Sequence, residues 1–153
     1  MRRIADSLYA ICITAWVGGL WAIGYLAAPT LFRALPDRAL AGELAGRLFA
    51  LIGWVGIACA VYLLAFLLVR RGWRAFAAAP FWIVAAMAAM TLAGQFGIQP
   101  LLAELKADAL PREVMESVLR NRFAVWHGVA SVLYLIESLA GLALVVLHAR
   151  AGR

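Results

Sequence analysis

The chain has 153 residues, enough for a single domain, and 66% of them are hydrophobic, which is more than a soluble domain of this length can bury. A formal net charge of +6 is compatible with nucleic-acid binding, but the charged residues stand in short clusters between apolar segments, which is typical of membrane topology signals. We therefore predict a membrane protein with no nucleic-acid partner.

Four apolar segments, each 21 to 25 residues long, make up more than half of the chain: residues 8–28, 48–69, 76–98 and 123–147. A membrane-spanning helix needs about 20 apolar residues, and hydrocarbon offers the backbone no hydrogen-bond partners, so each segment must be helical. The sequence predicts an all-α protein, an integral membrane four-helix bundle that forms one domain over residues 1–153 and has the lipid bilayer as its partner.

Basic residues predict the orientation of this bundle. Segments 1–7, 70–75 and 148–153 would share one side, and they carry seven arginines against a single acid, Asp6. The loops 29–47 and 99–122 on the other side carry seven basic residues and six acids over about twice the length. Because the orientation signal acts through short segments that flank the spans, we expect an inner-membrane protein with both termini in the cytoplasm.

The segments between the spans contain further helix signals. Asp37 is a common type of N-cap, so the second helix is predicted to begin outside the membrane, near Arg38. The longer loop predicts a short surface helix that begins near Pro111. Small residues at four-residue spacing predict close packing within the bundle, or equally a homo-oligomer contact. They are Ala10, Thr14, Gly18 and Ala22 on the first helix and Ala85, Ala89, Ala93 and Gly97 on the third.

Cys12 and Cys59 both fall inside predicted spans, at similar depth, so the two side chains can meet. Buried cysteines are more often small hydrophobic residues than metal ligands or disulfide partners. We therefore interpret Cys12 and Cys59 as small hydrophobic residues.

The fourth helix carries the polar residues of greatest interest. Four of them lie on one face, the last three within about 40° of the first: His127, Ser131, Tyr134 and Ser138. Glu137 lies on a neighbouring strip, and a carboxylate at that depth is costly when ionised, so we expect it to face the bundle interior. It is either a proton-responsive or cation-binding residue, or a buried acid that hydrogen-bonds a hydroxyl such as Thr14 or Tyr62.

A second polar group is predicted nearer the outer boundary. His127 should lie at a depth comparable to that of Tyr25 and Gln95 on the first and third helices, with Arg47 and Arg122 near the rim. These side chains could form a small binding cluster that opens outwards. The alternative is a histidine at the membrane interface that pairs with a neighbouring residue.

Distances along the fourth helix exclude two familiar arrangements. Glu137 lies ten residues after His127, about 15 Å along the axis, so the two cannot form an acid–base pair within one chain. His148 lies about 32 Å from His127, so one protomer cannot supply two histidines to one haem. A His–Met arrangement with Met90 stays open.

Two segments of the sequence are similar to a known family. The first runs from Trp16-Val17-Gly18-Gly19-Leu20-Trp21 through Tyr25 and Ala28-Pro29-Thr30-Leu31-Phe32 to Ala41-Gly42 and Arg47-Leu48-Phe49, and the second comprises Phe123, Trp126-His127-Gly128 and Ser131. Together they resemble the bacterial branch of a membrane family named after transmembrane protein 205, a domain of unknown function. The resemblance covers nearly the whole chain. It implies a four-helix integral membrane domain and little about activity.

The leading hypothesis is a non-enzymatic polytopic membrane protein that binds or helps to move a small solute or metal ion, or that acts as a membrane scaffold. The sequence contains no Cys-x-x-Cys, no His-x-x-x-His, no glycine-rich phosphate loop and no nucleophile elbow, and no cofactor is predicted. The alternative is a membrane redox protein that holds haem or copper through His127 and a sulfur ligand such as Met90. An enzyme acting on lipid has only Glu137 and His127 in its favour.

Overall fold

A computed structural model describes residues 2–107 and 116–151 of the protein, and the side chains of residues 3–105 and 121–151. The surface helix predicted near Pro111 lies outside the described residues. The described helices are α1 (Arg2–Trp21), α2 (Ala28–Ala34), α3 (Arg38–Arg71), α4 (Ala79–Leu92), α5 (Gln99–Ala107) and α6 (Glu116–Ala151), with π-helical segments at Ala22–Ala27 and Ala93–Ile98 and a 3-10 helix at Gly72–Ala77.

The π-helical segments join α1 to α2 and α4 to α5. The result is four continuous helical units, each long and apolar enough to cross a membrane, which we call spans 1 to 4: Arg3–Ala34, Arg38–Ala77, Ala79–Leu105 and Asn121–Ala151. In the bundle α3 packs against α1 and α4, and α6 packs against α4 and α1. The predicted set of four apolar helices is confirmed.

The interior of the bundle contains a few large side chains from every span. Trp16, Leu63, Met87 and Leu144 are at most 1% exposed. The aromatic side chains near the two ends are instead exposed, among them Trp54 at one end and Trp73 at the other. This is the distribution expected when a narrow core is surrounded by hydrocarbon and by headgroups at each end.

Two of the predicted loops are largely helical, and that part of the prediction is wrong. Span 1 continues to Ala34 and span 2 begins at Arg38, with Asp37 as its N-cap, as predicted. Span 3 likewise continues past Pro100. A proline inside a helix removes one backbone donor and crowds the carbonyl four residues earlier. Each π-helical segment ends two residues before a proline, Pro29 or Pro100, and its wider turn accommodates that proline within the helix.

The 3-10 helix Gly72–Ala77, at the end of span 2, makes the tight turn into span 3 that the short segment predicts, and we call it the turn between spans 2 and 3. Gly72 has φ of +54° and ends α3, a conformation that favours glycine. Span 3 then begins at Ala79, three residues later than the predicted boundary at Phe76, because Phe76 belongs to the 3-10 helix.

The two stripes of small residues do not pack inside the bundle, so that interpretation is wrong. Gly18 and Ala22 on span 1 and Ala93 and Gly97 on span 3 are exposed, and a Cβ atom added at Gly18 or Gly97 would meet nothing within 4 Å. The packing between spans is instead determined by single large side chains and not by a repeated spacing of small residues.

Candidate site at a buried carboxyl group

Span 4 places one carboxyl group in the middle of the bundle. Glu137 is 5% exposed, and Ser138 and Leu144, on the same inward face, are 0% and 1% exposed. The side chains of Ile136 and Leu139 point outward and are half exposed. Because an ionisable side chain in hydrocarbon is costly, the helix is oriented with its single acid inward. The predicted interior position of Glu137 is confirmed.

The carboxyl group contacts a hydroxyl on span 3. Thr91 Oγ1 lies 2.6 Å from Glu137 Oε1 and 3.0 Å from the backbone oxygen of Met87, and Thr91 is buried. A threonine hydroxyl has one proton to donate. If Glu137 is ionised, Thr91 donates to the carboxylate or to Met87 O, but not fully to both. If Glu137 is protonated, it donates to Thr91 while Thr91 donates to Met87 O, and both hydrogen bonds form.

An indole group on span 1 completes this part of the core. Trp16 is 0% exposed, and its Nε1 has no hydrogen-bond partner among the described residues, although it lies within interaction range of the Glu137 carboxyl group. Gly56 on span 2 makes room for this ring, since a Cβ atom there would collide with the indole. We call Glu137, Thr91 and Trp16 the carboxyl site. Spans 1, 3 and 4 contribute its side chains, and Gly56 on span 2 leaves the space for the indole ring.

The partner of Glu137 differs from the one predicted. Thr14 Oγ1 donates to the backbone oxygen of Ala10 on its own helix, and Tyr62 Oη donates to Ala5 O near the end of the bundle. Both hydroxyls are therefore used by nearby backbone carbonyls. Thr91 was missed because sequence spacing gives depth along a helix but not the rotation of span 3 about its axis.

Tyr134, one turn before Glu137, reaches into the backbone of span 1. Its hydroxyl donates to Leu20 O at 2.6 Å, and the backbone N–H of Gly24 lies within interaction range of the phenolic oxygen. These two backbone groups are four residues apart and would pair with each other in a regular α-helix. The phenol is inserted between them, and Gly24 has no Cβ atom to obstruct the ring. A side chain inserted in this way is a known cause of local distortion, and the π-helical segment begins at Ala22.

Comparison with known families covers about two thirds of the chain. The family model DUF4149, described as a domain of unknown function, matches residues 11–110. The chain belongs to this family. No curated protein and no solved structure matches it. The DUF4149 match includes Trp16 and Thr91 and ends before Glu137. The likeness to the transmembrane protein 205 family, and a bacterial origin, stay predictions.

The other predicted site residues of this DUF4149 protein lie apart from the carboxyl site. The exposed ring of His127 stacks on Phe123 with 5.8 Å between centroids, and its backbone oxygen accepts from Ser131 Oγ at 2.8 Å. The hydroxyl of Ser131 is therefore used by the backbone of its own helix. Gln95 Nε2 donates to Ala50 O on span 2 at 3.4 Å.

Tyr25 and Tyr134 are the two members of the predicted set whose rings come near each other, with 6.4 Å between centroids. Tyr25 also contacts Trp21, whose Nε1 donates to Ser138 O at 3.4 Å. These contacts join spans 1 and 4 next to the carboxyl site, on the side toward His127. The polar face of span 4 thus runs from an exposed histidine to the buried Ser138.

The two cysteines meet, as their similar depth predicts. Cys12 and Cys59 are free thiols, and their side chains lie within interaction range of each other between spans 1 and 2. Both pack with the hydrophobic core of the bundle. Among the described residues, no three His, Cys, Asp or Glu side chains come together as a set of metal ligands.

Proposed function

We propose that this DUF4149 protein is an integral membrane protein that binds a proton, or a small cation in its place, at Glu137. The observation behind this proposal is the position of the Thr91 hydroxyl, 2.6 Å from the carboxyl oxygen and 3.0 Å from Met87 O. That hydroxyl satisfies both neighbours when one additional proton is present on Glu137. The carboxyl site is therefore suited to a neutral carboxyl group at bilayer depth.

The same three side chains also supply what an ionised carboxylate needs. A buried carboxylate is tolerated when donors replace its hydration. On loss of the proton, the Thr91 hydroxyl can rotate from Met87 O to the carboxylate. The N–H of Trp16, which has no hydrogen-bond partner among the side chains and backbone that the structure describes, is a second donor within interaction range. A carboxyl group whose hydrogen bonds can form in both the neutral and the ionised state is able to exchange its proton or accept a cation.

Orientation and assembly belong to the proposal as well. The arginine-rich segments 1–7, 70–75 and 148–153 support an inner-membrane location with both termini in the cytoplasm. The exposed small-residue faces of spans 1 and 3 support packing against a second copy. Reporter fusions at each terminus test the first point, since both should be active only on the cytoplasmic side. The redox alternative, with haem or copper, stays a prediction.

Carbodiimide labelling tests the proposed binding of a proton. A protonated carboxyl group adds across a C=N bond of a carbodiimide to give an O-acylisourea, and where water is excluded this intermediate rearranges by O-to-N acyl transfer to a stable N-acylurea, which mass spectrometry assigns to a residue. We expect a lipophilic carbodiimide to label Glu137 in protein reconstituted in lipid, with labelling that falls as the pH rises. Tyr134 is a titratable side chain in charge interaction with Glu137. Because the pH dependence belongs to Glu137 itself, the Tyr134→Phe variant should keep it.

The same chain offers an internal control. Glu43 is exposed and bonds Arg47 at 2.6 Å, so a water-soluble carbodiimide should label Glu43 and spare Glu137. Cations added in turn show whether any of them protects Glu137, and a protecting cation identifies the ion that replaces the proton. Labelling of Glu137 that is absent at every pH, or that equals Glu43 with both reagents, would contradict the proposal.

A further inference from the structure

One end of the bundle holds nearly all of the net charge. It comprises the start of span 1, the turn between spans 2 and 3, and the end of span 4, and we call it the turn end. Segments 1–7, 70–75 and 148–153 contain seven arginines and one acid, whereas the segments at the opposite end contain seven basic residues and six acids. Asp6 already pairs with Arg70 at 2.9 Å. The other described arginine side chains there are exposed, namely Arg3, Arg71, Arg74 and Arg150.

In the sequence of the turn, two of these exposed arginines flank an exposed tryptophan. Trp73 lies between Arg71 and Arg74 in sequence and is 89% exposed, the highest exposure of any large apolar side chain described. Its ring packs on Phe76 with 5.8 Å between centroids. Ala75, in the same 3-10 helix, is fully buried, and its burial fixes the turn against the bundle.

Span 3 supports the aromatic surface from below. Phe76 contacts the buried Phe81 with 4.7 Å between centroids, and Trp82 Nε1 donates to Phe76 O at 2.9 Å. The turn is thus fixed to the first residues of span 3. Its exposed parts are two guanidinium groups and the faces of Trp73, Phe76 and Trp82.

This combination of groups matches one kind of partner. Guanidinium groups bind phosphate oxygens through paired N–H donors, and tryptophan rings lie at the level where headgroups meet acyl chains. Basic clusters beside a spanning helix attract anionic lipids. We propose that the turn between spans 2 and 3 binds the headgroup of an anionic phospholipid, with Arg71 and Arg74 on the phosphodiester and Trp73 and Phe76 against the glycerol and first methylenes. This surface is separate from the carboxyl site and does not depend on it.

The test compares lipids and two matched double variants of the full chain in detergent. Binding of phosphatidylglycerol and of phosphatidylcholine is measured by native mass spectrometry. Arg71→Gln/Arg74→Gln removes the two charges at the turn, and Arg33→Gln/Arg38→Gln removes two exposed charges at the opposite end. Each arginine near an anionic membrane surface contributes about 5-fold, so the first pair should weaken phosphatidylglycerol binding by about 30-fold. The second pair should leave it nearly unchanged.

Three results would overturn the assignment: equal weakening by both double variants, equal binding of the two lipids by the wild type, or full competition by inorganic phosphate at the concentration of the lipid. A second measurement follows tryptophan fluorescence in the wild type and in Trp73→Phe. Brominated phosphatidylglycerol should quench tryptophan fluorescence more than brominated phosphatidylcholine does, and Trp73→Phe should remove most of that difference. Quenching that does not depend on the headgroup would also refute the proposal.

Discussion

Substitutions at Glu137 provide a graded test of the carboxyl site. In Glu137→Gln the amide N–H donates to Thr91 Oγ1, and Thr91 keeps its bond to Met87 O, so both contacts at 2.6 and 3.0 Å retain a donor. The free energy of unfolding should change by no more than about 1 kcal/mol, the net value of one hydrogen bond. Glu137→Lys places an ammonium group where no acid remains, and a lysine at the centre of a spanning helix costs about 3 kcal/mol.

The two variants should therefore differ by about 2–3 kcal/mol, which is roughly 30- to 160-fold in the unfolding equilibrium. Reversible unfolding in mixed micelles with an increasing fraction of denaturing detergent, followed by circular dichroism, measures this difference. Glu43→Lys is the matched control, because that exposed side chain pairs with Arg47 at 58% and 72% exposure and its loss should cost less than about 1 kcal/mol. If the two lysine variants unfold alike, Glu137 does not lie in the interior.

Three further experiments test other contacts. Tyr134→Phe removes the hydroxyl inserted into span 1 and should lower the free energy of unfolding by about 1–2 kcal/mol; no change would refute the role of that hydroxyl. Gly56→Ala forces the buried indole to move and should cost about 1–3 kcal/mol, whereas Gly18→Ala meets open space and should be neutral or stabilising by up to about 1 kcal/mol. Mild oxidation should consume the thiols of Cys12 and Cys59 together, as judged by thiol alkylation and mass spectrometry; a wild-type chain that loses one thiol without the other would contradict their contact.

The sequence predicts the four helices because the requirement for them is simple. An apolar segment of sufficient length must be helical in hydrocarbon, and an Asp at the N-cap position marks the start of a helix, as Asp37 does. The continuation through Pro29 and Pro100 could not be predicted in the same way. It depends on π-helical turns, and at span 1 also on the Tyr134 hydroxyl, which comes from residues more than 100 positions away.

The carboxyl site is partly predictable for a similar reason. Lipid excludes a lone acid, so Glu137 had to lie inside, whatever its neighbours. Its contact with Thr91, and the role of Trp16, depend on how spans 1 and 3 are rotated about their axes. Trp16 is buried, whereas the other five tryptophans are exposed. The residue type alone does not distinguish it from the tryptophans at the membrane interface. The small-residue stripes failed as a guide because they describe surfaces that can pack, not surfaces that do so within one chain.

Infrared spectroscopy of the carboxyl group tests the central claim most directly. In protein reconstituted in lipid at neutral pH, a protonated Glu137 should give the carbonyl stretch of a neutral carboxylic acid. This band should disappear in Glu137→Gln and should shift, without disappearing, in Thr91→Val, because the hydrogen-bond partner is then lost. A wild-type spectrum that lacks this band and shows only carboxylate absorption would contradict the proposal that the carboxyl site holds a proton.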